Sequence, residues 1–311
     1  MSQIVVTFTL GVIILLLSTQ WFLKAAERMS LVLRVSPLII GLTVVSIGTS
    51  LPELAVSAIA VFNGDSGLAT GNIIGSNIIN VFLVFGIGIL LGKLRVGTQK
   101  TQKNIYMMCG ITAVFLLLYF LHVPNVLSGI ILLLAALVVS IQEYVWGIKG
   151  RKFEDAVLYL KNKRKRGIPL DIIMIGFSVV GIIAGGMLTV SSVERLSALL
   201  DISTTILGLS VTAIATSLPE LLTTLFSEKD HEEKITIGNL MGSNIYNLAL
   251  IGGLILLFSP WKSVTSYESV MLILATFAFT ITVAIYKGKV IPKGVGLIFL
   301  GMCVGYLFFL Q

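Results

Sequence analysis

The sequence predicts an all-α polytopic membrane protein, with ten transmembrane helices arranged as two inverted five-helix repeats. Three observations carry this reading. The mean hydropathy is +1.00, with 56% hydrophobic and only 12% charged residues in 311, far from the balance of a soluble globular domain. Apolar runs reaching the roughly 18 residues that span a bilayer recur along the whole chain. A polar motif set inside one such run returns without a gap 167 residues later (220 − 53 = 167): Gly48-Thr49-Ser50-Leu51-Pro52-Glu53 becomes Ala215-Thr216-Ser217-Leu218-Pro219-Glu220.

Spans are predicted at about 3–24, 37–62, 68–91, 104–121, 126–147, 169–192, 204–227, 234–258, 266–286 and 292–310. The first apolar run, Ile4 to Phe22, has neither a basic leader nor a small-residue cleavage site, so it is read as a retained helix rather than a signal peptide. Five spans precede a polar linker and five follow it. The division is therefore a first repeat over 1–148, a basic cytoplasmic linker over 149–168 and a second repeat over 169–311.

The net charge of +7 does not point to nucleic acid, because the basic residues are scattered over loops between spans. Assigned to alternate sides, twenty of the 22 Lys and Arg fall on the side of the loops near 28, 97, 157, 230 and 289, leaving Arg195 and Lys262 on the other (22 − 2 = 20). By the positive-inside rule both termini of this cell-membrane protein face outside. The linker carries Lys149, Arg151, Lys152, Lys161, Lys163, Arg164, Lys165 and Arg166 around a short amphipathic piece, Phe153 to Leu160. It reads as a topology anchor joining the halves, with anionic-lipid binding as the sharper alternative, and is too short for a folded regulatory domain. Cys109 and Cys303 each sit inside an apolar run and read as packing residues without a disulfide.

An odd number of spans separates the two motif copies, so the second must insert upside down, the plan of inverted-repeat secondary transporters. Glu27-Arg28 recurs as Glu194-Arg195, and Leu42 as Leu209, at the same offset, which extends the unit to a whole five-helix half. Glu27 and Glu194 are expected at loop edges in solvated interfacial ion pairs.

Within the motif, Pro52 and Pro219 remove a backbone donor, so each helix is expected to break there. Ser50-x-x-Glu53 and Ser217-x-x-Glu220 also fit a capping box, in which the glutamate merely satisfies its own helix start. Capping needs no ionised group, however, and a carboxylate at membrane depth costs roughly 2.5 kcal/mol or more unless neutralised. Two inverted glutamates therefore favour a cation site. A second repeated stretch supplies neutral partners: Gly71-Asn72, Gly75-Ser76-Asn77-Ile78 and Asn80 return as Gly238-Asn239, Gly242-Ser243-Asn244-Ile245 and Asn247. Asn72, Ser76 and Asn80 follow i, i+4 spacing on one helix face, and the Gly-x-x-x-Gly spacings allow a neighbouring helix to approach closely. Asn72, Asn77, Asn239 and Asn244 read as interhelical hydrogen-bonding amides; Asn80 and Asn247 read as ligands. Two carboxylates, two amide carbonyls, hydroxyls and freed backbone carbonyls form an all-oxygen set that suits Ca²⁺ and other hard cations.

These motifs resemble the α-repeats of the calcium/cation antiporter superfamily, in its Na⁺/Ca²⁺ exchanger branch, over essentially the whole chain. The resemblance implies a secondary active antiporter that exchanges Ca²⁺ for Na⁺ by alternating access, with H⁺ as the alternative counter-ion. It implies central ligands at Glu53, Glu220, Asn80 and Asn247, and flanking ion sites using Thr49, Ser50, Ser76, Thr216, Ser217 and Ser243. The backbone carbonyls of Ser46 and Ala213 are further implied ligands. Two positions depart from the family pattern: Asn247 stands where some exchangers carry aspartate, and Ala215 where glycine is usual. No cofactor is expected beyond the transported ions, and the partners expected are Ca²⁺, Na⁺ and membrane lipid. An enzyme is disfavoured because the histidines, His122 and His231, fall at a span end and in a loop with no identifiable partner. A passive cation channel remains as a weaker reading, distinguished by flux without a counter-ion gradient.

Overall fold

The computed structural model describes residues 1–32, 45–92, 94, 96, 99–149, 168–229, 233–261 and 266–310. Every regular element among them is a helix. The helices are α1 (Ser2–Val32), α2 (Val45–Thr49), α3 (Leu51–Phe62), α4 (Ser66–Ile79), α5 (Gly86–Leu91), α6 (Gln99–Phe120), α7 (Asn125–Lys149) and α8 (Ile168–Leu200). There follow α9 (Thr204–Leu207), α10 (Ala213–Thr216), α11 (Leu218–Lys229), α12 (Glu233–Tyr246), α13 (Gly252–Phe258), α14 (Ser266–Ile285) and α15 (Lys293–Phe308). Among the described residues three π-helical segments bridge consecutive helices: Asn80–Phe85 between α4 and α5, Gly208–Thr212 between α9 and α10, and Asn247–Ile251 between α12 and α13. The start of the span expected from 37, Leu42, and the amphipathic piece 153–160 lie outside the described residues, as do His231 and Lys262.

Among the described residues eight helical stretches are long and apolar enough to cross a membrane, and Leu51–Phe62 and Lys293–Phe308 are shorter apolar helices. Two helices outrun the expected spans: α1 continues past 24 to Val32, and α8 continues past 192 to Leu200. The reason is local. Residues such as Ala25, Ala26, Glu27, Arg28 and Met29, or Glu194, Arg195 and Leu196, are polar or mixed but favour helix, so the backbone ladder continues after the apolar run has ended. The 31 residues of α1 rise about 46 Å, against a hydrocarbon core of about 30 Å. Glu194 consequently lies within a helix rather than at a loop edge, where its carboxylate accepts a hydrogen bond from Asn63 Nδ2 at 3.1 Å. Among the described residues it makes a contact between the halves.

Burial orders the helices around a centre. The apolar windows of Ser66–Leu91 and Ile237–Phe258 are 83% buried, whereas those of α1 and α8 are only 28% buried. The first pair forms the core and the second lies at its edge. The edge helices pack closely together: a Cβ at Gly185 would meet Leu15 N at 2.6 Å, and one at Gly11 would meet Thr189 N at 2.9 Å. Their other faces expose Val6, Leu10, Ile173, Phe177 and Val180, apolar surface appropriate to lipid rather than water. At the centre, Phe85 meets the Phe279 ring at 4.6 Å and the Phe299 ring edge-on at 5.2 Å. This ties α14 and α15 to the helix that carries Asn80. At one end, Leu94 and Val96 pair with 288–291 through Val96 N to Lys289 O (3.1 Å) and Ile291 N to Leu94 O (3.0 Å).

Close approach at the first glycine pair follows the spacing. A Cβ at Gly75 would lie 2.7 Å from Leu209 Cα and 2.8 Å from Ala213 Cβ, and one at Gly71 would collide with the Thr205 carbonyl. α4 thus lies directly on the chain from α9 to α10. In the second copy no described residue lies within 4 Å of a Cβ at Gly238; the stretch matching Thr205 to Leu209 at the 167-residue offset, 38–42, lies outside the described residues.

Candidate functional site

Each glutamate sits just beyond a one-residue helix break. Ser50 separates α2 from α3 with φ −85° and ψ 6°, and Ser217 separates α10 from α11 with φ −80° and ψ 5°. Both copies of the motif therefore fold alike locally. Pro52 and Pro219 occupy the second position of the new helix, where a missing N–H leaves no gap in the ladder; the ladder resumes with Leu54 N to Ser50 O at 3.1 Å and Leu221 N to Ser217 O at 3.2 Å. The expected helix break is present in both copies and is confined to one residue.

The capping box is not formed. Ser50 makes no side-chain cap, and the hydroxyls of Ser50 and Ser217 and all four carboxylate oxygens of Glu53 and Glu220 are buried without a hydrogen-bond partner among the described residues. Both glutamates are fully buried, as are Asn80 and Asn247. Leaving a buried polar group unpaired costs about 1–3 kcal/mol, more when it is charged, so this concentration of free oxygens requires a purpose other than helix capping. The groups facing Glu53 are the hydroxyls of Thr216 and Ser217 and the carboxyl of Glu220. Those facing Glu220 are the hydroxyls of Ser243 and Thr49. Each carboxyl thus looks at hydroxyls of the opposite helix break or its partner helix.

Around this centre the remaining polar residues are knitted across the halves. Thr49 Oγ1 lies 3.1 Å from Ser243 Oγ and donates to Asn239 Oδ1 at 3.3 Å. Thr216 Oγ1 lies 3.3 Å from Ser76 Oγ and donates to Asn72 Oδ1 at 3.1 Å. Asn72 Nδ2 in turn donates to the Glu53 carbonyl (3.3 Å) and to Ser57 Oγ (3.1 Å), so it holds the backbone of the residue whose carboxylate is free. Asn80 Nδ2 donates to Asn244 Oδ1 at 3.1 Å, leaving Asn80 Oδ1 unpaired, while Asn247 has neither amide atom paired.

The structure thus brings together Glu53, Glu220, Thr49, Ser76, Thr216, Ser217 and Ser243, and it buries Ser50, Asn80 and Asn247 with free polar atoms. Ser46 lies in α2, four residues before Ser50. The Ala213 carbonyl is already engaged, accepting from Ser217 N at 3.0 Å and from Thr216 Oγ1 at 3.4 Å. Asn72, Asn239 and Asn244 do bond between helices, but Asn77 does not use its side chain that way: its amide donates to Ile73 O in its own helix at 2.8 Å. Interhelical contact at Asn77 runs instead through its backbone carbonyl, which accepts from Asn244 Nδ2.

Two features escaped the sequence reading. Ser57 and Thr224 are hydroxyls four residues beyond each glutamate, themselves 167 apart, and both are fully buried; the repeated Glu-x-x-x-Ser/Thr spacing is their sequence signature. The π-helical segments begin at Asn80 and at Asn247, and no composition pattern announces them. Among the described residues no group of three or more His, Cys, Asp or Glu is assembled, so any cation here would meet two carboxylates and otherwise neutral oxygens, the donor chemistry of hard cations.

Comparison with known proteins agrees with this chemistry. The family model described as sodium/calcium exchanger protein matches residues 3–142 and 170–311. The chain belongs to the sodium/calcium exchanger family. It is 29% identical over 286 residues to the sodium/calcium exchanger MaX1 of Methanosarcina acetivorans, covering 81% of this chain and 82% of that protein. An uncharacterised membrane protein of Methanocaldococcus jannaschii is 29% identical over 300 residues, covering 96% and 94%. Structures of the sodium-calcium exchanger NCX_Mj align over 99% of both chains, with a TM-score of 0.68 at 25% identity after soaking in Na⁺ and Sr²⁺, and 0.65 at 27% identity after soaking in Na⁺ and Ca²⁺. Exchanger-family membership supports Ca²⁺/Na⁺ antiport in a multi-pass membrane protein and does not favour a Ca²⁺/H⁺ exchanger.

Proposed function

We propose that this exchanger carries Ca²⁺ and Na⁺ alternately through one central site, with Glu53, Glu220, Asn80 and Asn247 as the inner ligands. Thr49, Ser50, Ser76, Thr216, Ser217 and Ser243, with the Ser46 and Ala213 carbonyls, complete the flanking ion sites. The observation that carries this reading is the pair of fully buried carboxylates, faced by hydroxyls, whose four oxygens have no hydrogen-bond partner among the described residues. Charge counting supplies the coupling. Two carboxylates close together in a low-dielectric interior repel each other and are poorly solvated, so the empty, doubly negative site resists crossing between faces. One Ca²⁺ neutralises the pair, and so do two Na⁺. The loaded forms then exchange and the empty form does not return, which is the requirement for antiport.

In this reading ten membrane-spanning segments form two inverted halves, 1–148 and 169–311, joined by the basic stretch 149–168 on the cytoplasmic side of the cell membrane, with both termini outside. The 167-residue offset and the one-sided distribution of Lys and Arg support it. The test is Ca²⁺ uptake into proteoliposomes holding the purified protein, under an imposed Na⁺ gradient and separately under a pH gradient. Uptake driven by Na⁺ is expected. Uptake that follows pH alone overturns Na⁺ as the counter-ion, and uptake with no counter-ion gradient overturns exchange in favour of a channel.

A further inference from the structure

The two halves carry the same polar residues at the 167-residue offset, yet they do not make the same hydrogen bonds. Asn72 Nδ2 donates to Ser57 Oγ at 3.1 Å. The matching pair in the second half is Asn239 and Thr224, and there both Asn239 Nδ2 and Thr224 Oγ1 are buried and unpaired among the described residues. Asn80 Nδ2 donates to Asn244 Oδ1 at 3.1 Å. Its counterpart would join Asn247 to Asn77, but Asn247 is unpaired at both amide atoms, and Asn77 has turned to Ile73 O. Contacts that do obey the symmetry run alongside: Thr216 to Asn72 matches Thr49 to Asn239. Asn72–Ser57 and Asn80–Asn244 are thus made while their mirrors are open, and the amides between them are unequal too: Asn244 Nδ2 donates across to the Asn77 carbonyl at 3.3 Å, whereas Asn77 Nδ2 stays in its own helix on Ile73 O.

Sequence does not account for the difference, since Ser57 and Thr224 both offer a hydroxyl and the other partners are identical asparagines. Conformation does. A buried donor and a buried hydroxyl left unpaired on adjacent helices are costly, and the cost is tolerated where another conformation of the same chain pairs them. We infer that Asn239–Thr224 and Asn247–Asn77 are hydrogen bonds of the opposite-facing conformation, formed as Asn72–Ser57 and Asn80–Asn244 break. The six amides and two hydroxyls are then a two-position switch: in each position one pair of bonds is made and its mirror pair is open, and crossing the membrane exchanges the two sets. Ser57 and Thr224 bias the balance between the two faces without touching the ions. This inference rests on the antiport reading with inverted halves given above.

The experiment measures apparent Ca²⁺ affinity at each face of the full-length protein, using right-side-out and inverted membrane vesicles and Na⁺-driven exchange as the readout. Ser57→Ala removes a bond of the present conformation, and Thr224→Val removes one of the other. The ratio of the two affinities is expected to move about fivefold in opposite directions, the weight of one net hydrogen bond. Thr224→Ser keeps the hydroxyl and is expected to match the wild type. Shifts of Ser57→Ala and Thr224→Val in the same direction, no shift in either, or a Thr224→Ser shift equal to that of Thr224→Val would overturn the inference while exchange itself stands. Absence of Na⁺-driven uptake in wild-type vesicles would instead remove the antiport reading and the switch with it.

Discussion

Thr49 Oγ1 lies 3.1 Å from Ser243 Oγ, and the residues 167 positions away from each, Thr216 and Ser76, face each other at 3.3 Å. Each hydroxyl from a helix break in one half meets a hydroxyl of the buried polar helix in the other. Because the contact recurs across the repeat, the two glutamates that follow Thr49 and Thr216 are delivered to one shared centre rather than to two separate ones.

Replacing either glutamate by glutamine tests that centre. Glu53→Gln and Glu220→Gln are each expected to abolish Ca²⁺ exchange while leaving the protein folded and monodisperse, because the carboxylate oxygens have no structural hydrogen bond to lose. Exchange above about a third of wild type in both variants would refute a shared cation site built on these carboxylates.

Ser50→Ala separates capping from ion binding. A true N-cap loses about 1 kcal/mol on such truncation, but the Ser50 side chain caps nothing. Thermal stability in detergent is expected to stay unchanged while the Na⁺ concentration for half-maximal exchange rises. A fall in stability with unchanged Na⁺ dependence would assign Ser50 to the helix start alone.

Asn247→Asp is expected to alter ion dependence more than stability, since neither amide atom of Asn247 is committed to a partner. The added acid gives the site a third group that can bind or release a proton. Ca²⁺ uptake measured across pH at fixed Na⁺ should therefore become more pH-dependent than in the wild type; an unchanged pH profile with a lowered melting temperature would place Asn247 in the scaffold.

Gly75→Ala probes the packing of α4 on α10. The added methyl would meet Leu209 backbone at 2.7 Å and Ala213 Cβ at 2.8 Å, and neither can move without shifting a helix. Overpacking of this kind costs about 1–3 kcal/mol, so a clear drop in thermal stability is expected. An unchanged melting temperature would refute the close packing of α4 on the chain from α9 to α10.

Topology is checked by single cysteines at positions 97 and 262 in a background lacking Cys109 and Cys303. Impermeant thiol reagents are expected to label 262 from outside and 97 only after the membrane is opened, as the distribution of basic residues requires. Labelling of both from one side would overturn the orientation.

The class of the protein and the make-up of its polar centre are legible in the residues alone. Apolar run length and the cost of a buried carboxylate are properties of residues in a bilayer, independent of how helices are arranged, so Glu53, Glu220 and the hydroxyls beside them could be read directly. The sequence could not determine where α1 and α8 end, because helix propensity in 25–32 and 193–200 carries the backbone beyond the apolar runs that mark a span. Nor could it determine which oxygens remain free. The Ser-x-x-Glu spacing is equally compatible with a capping box, and only the uncapped break at Ser50 and the carboxylate oxygens of Glu53, unpartnered among the described residues, separate the two. The tertiary structure also decided the unequal pairing of Ser57 and Thr224. Identical or equivalent residues carry identical local preferences, so a difference between the halves can arise only from how the halves are packed against one another.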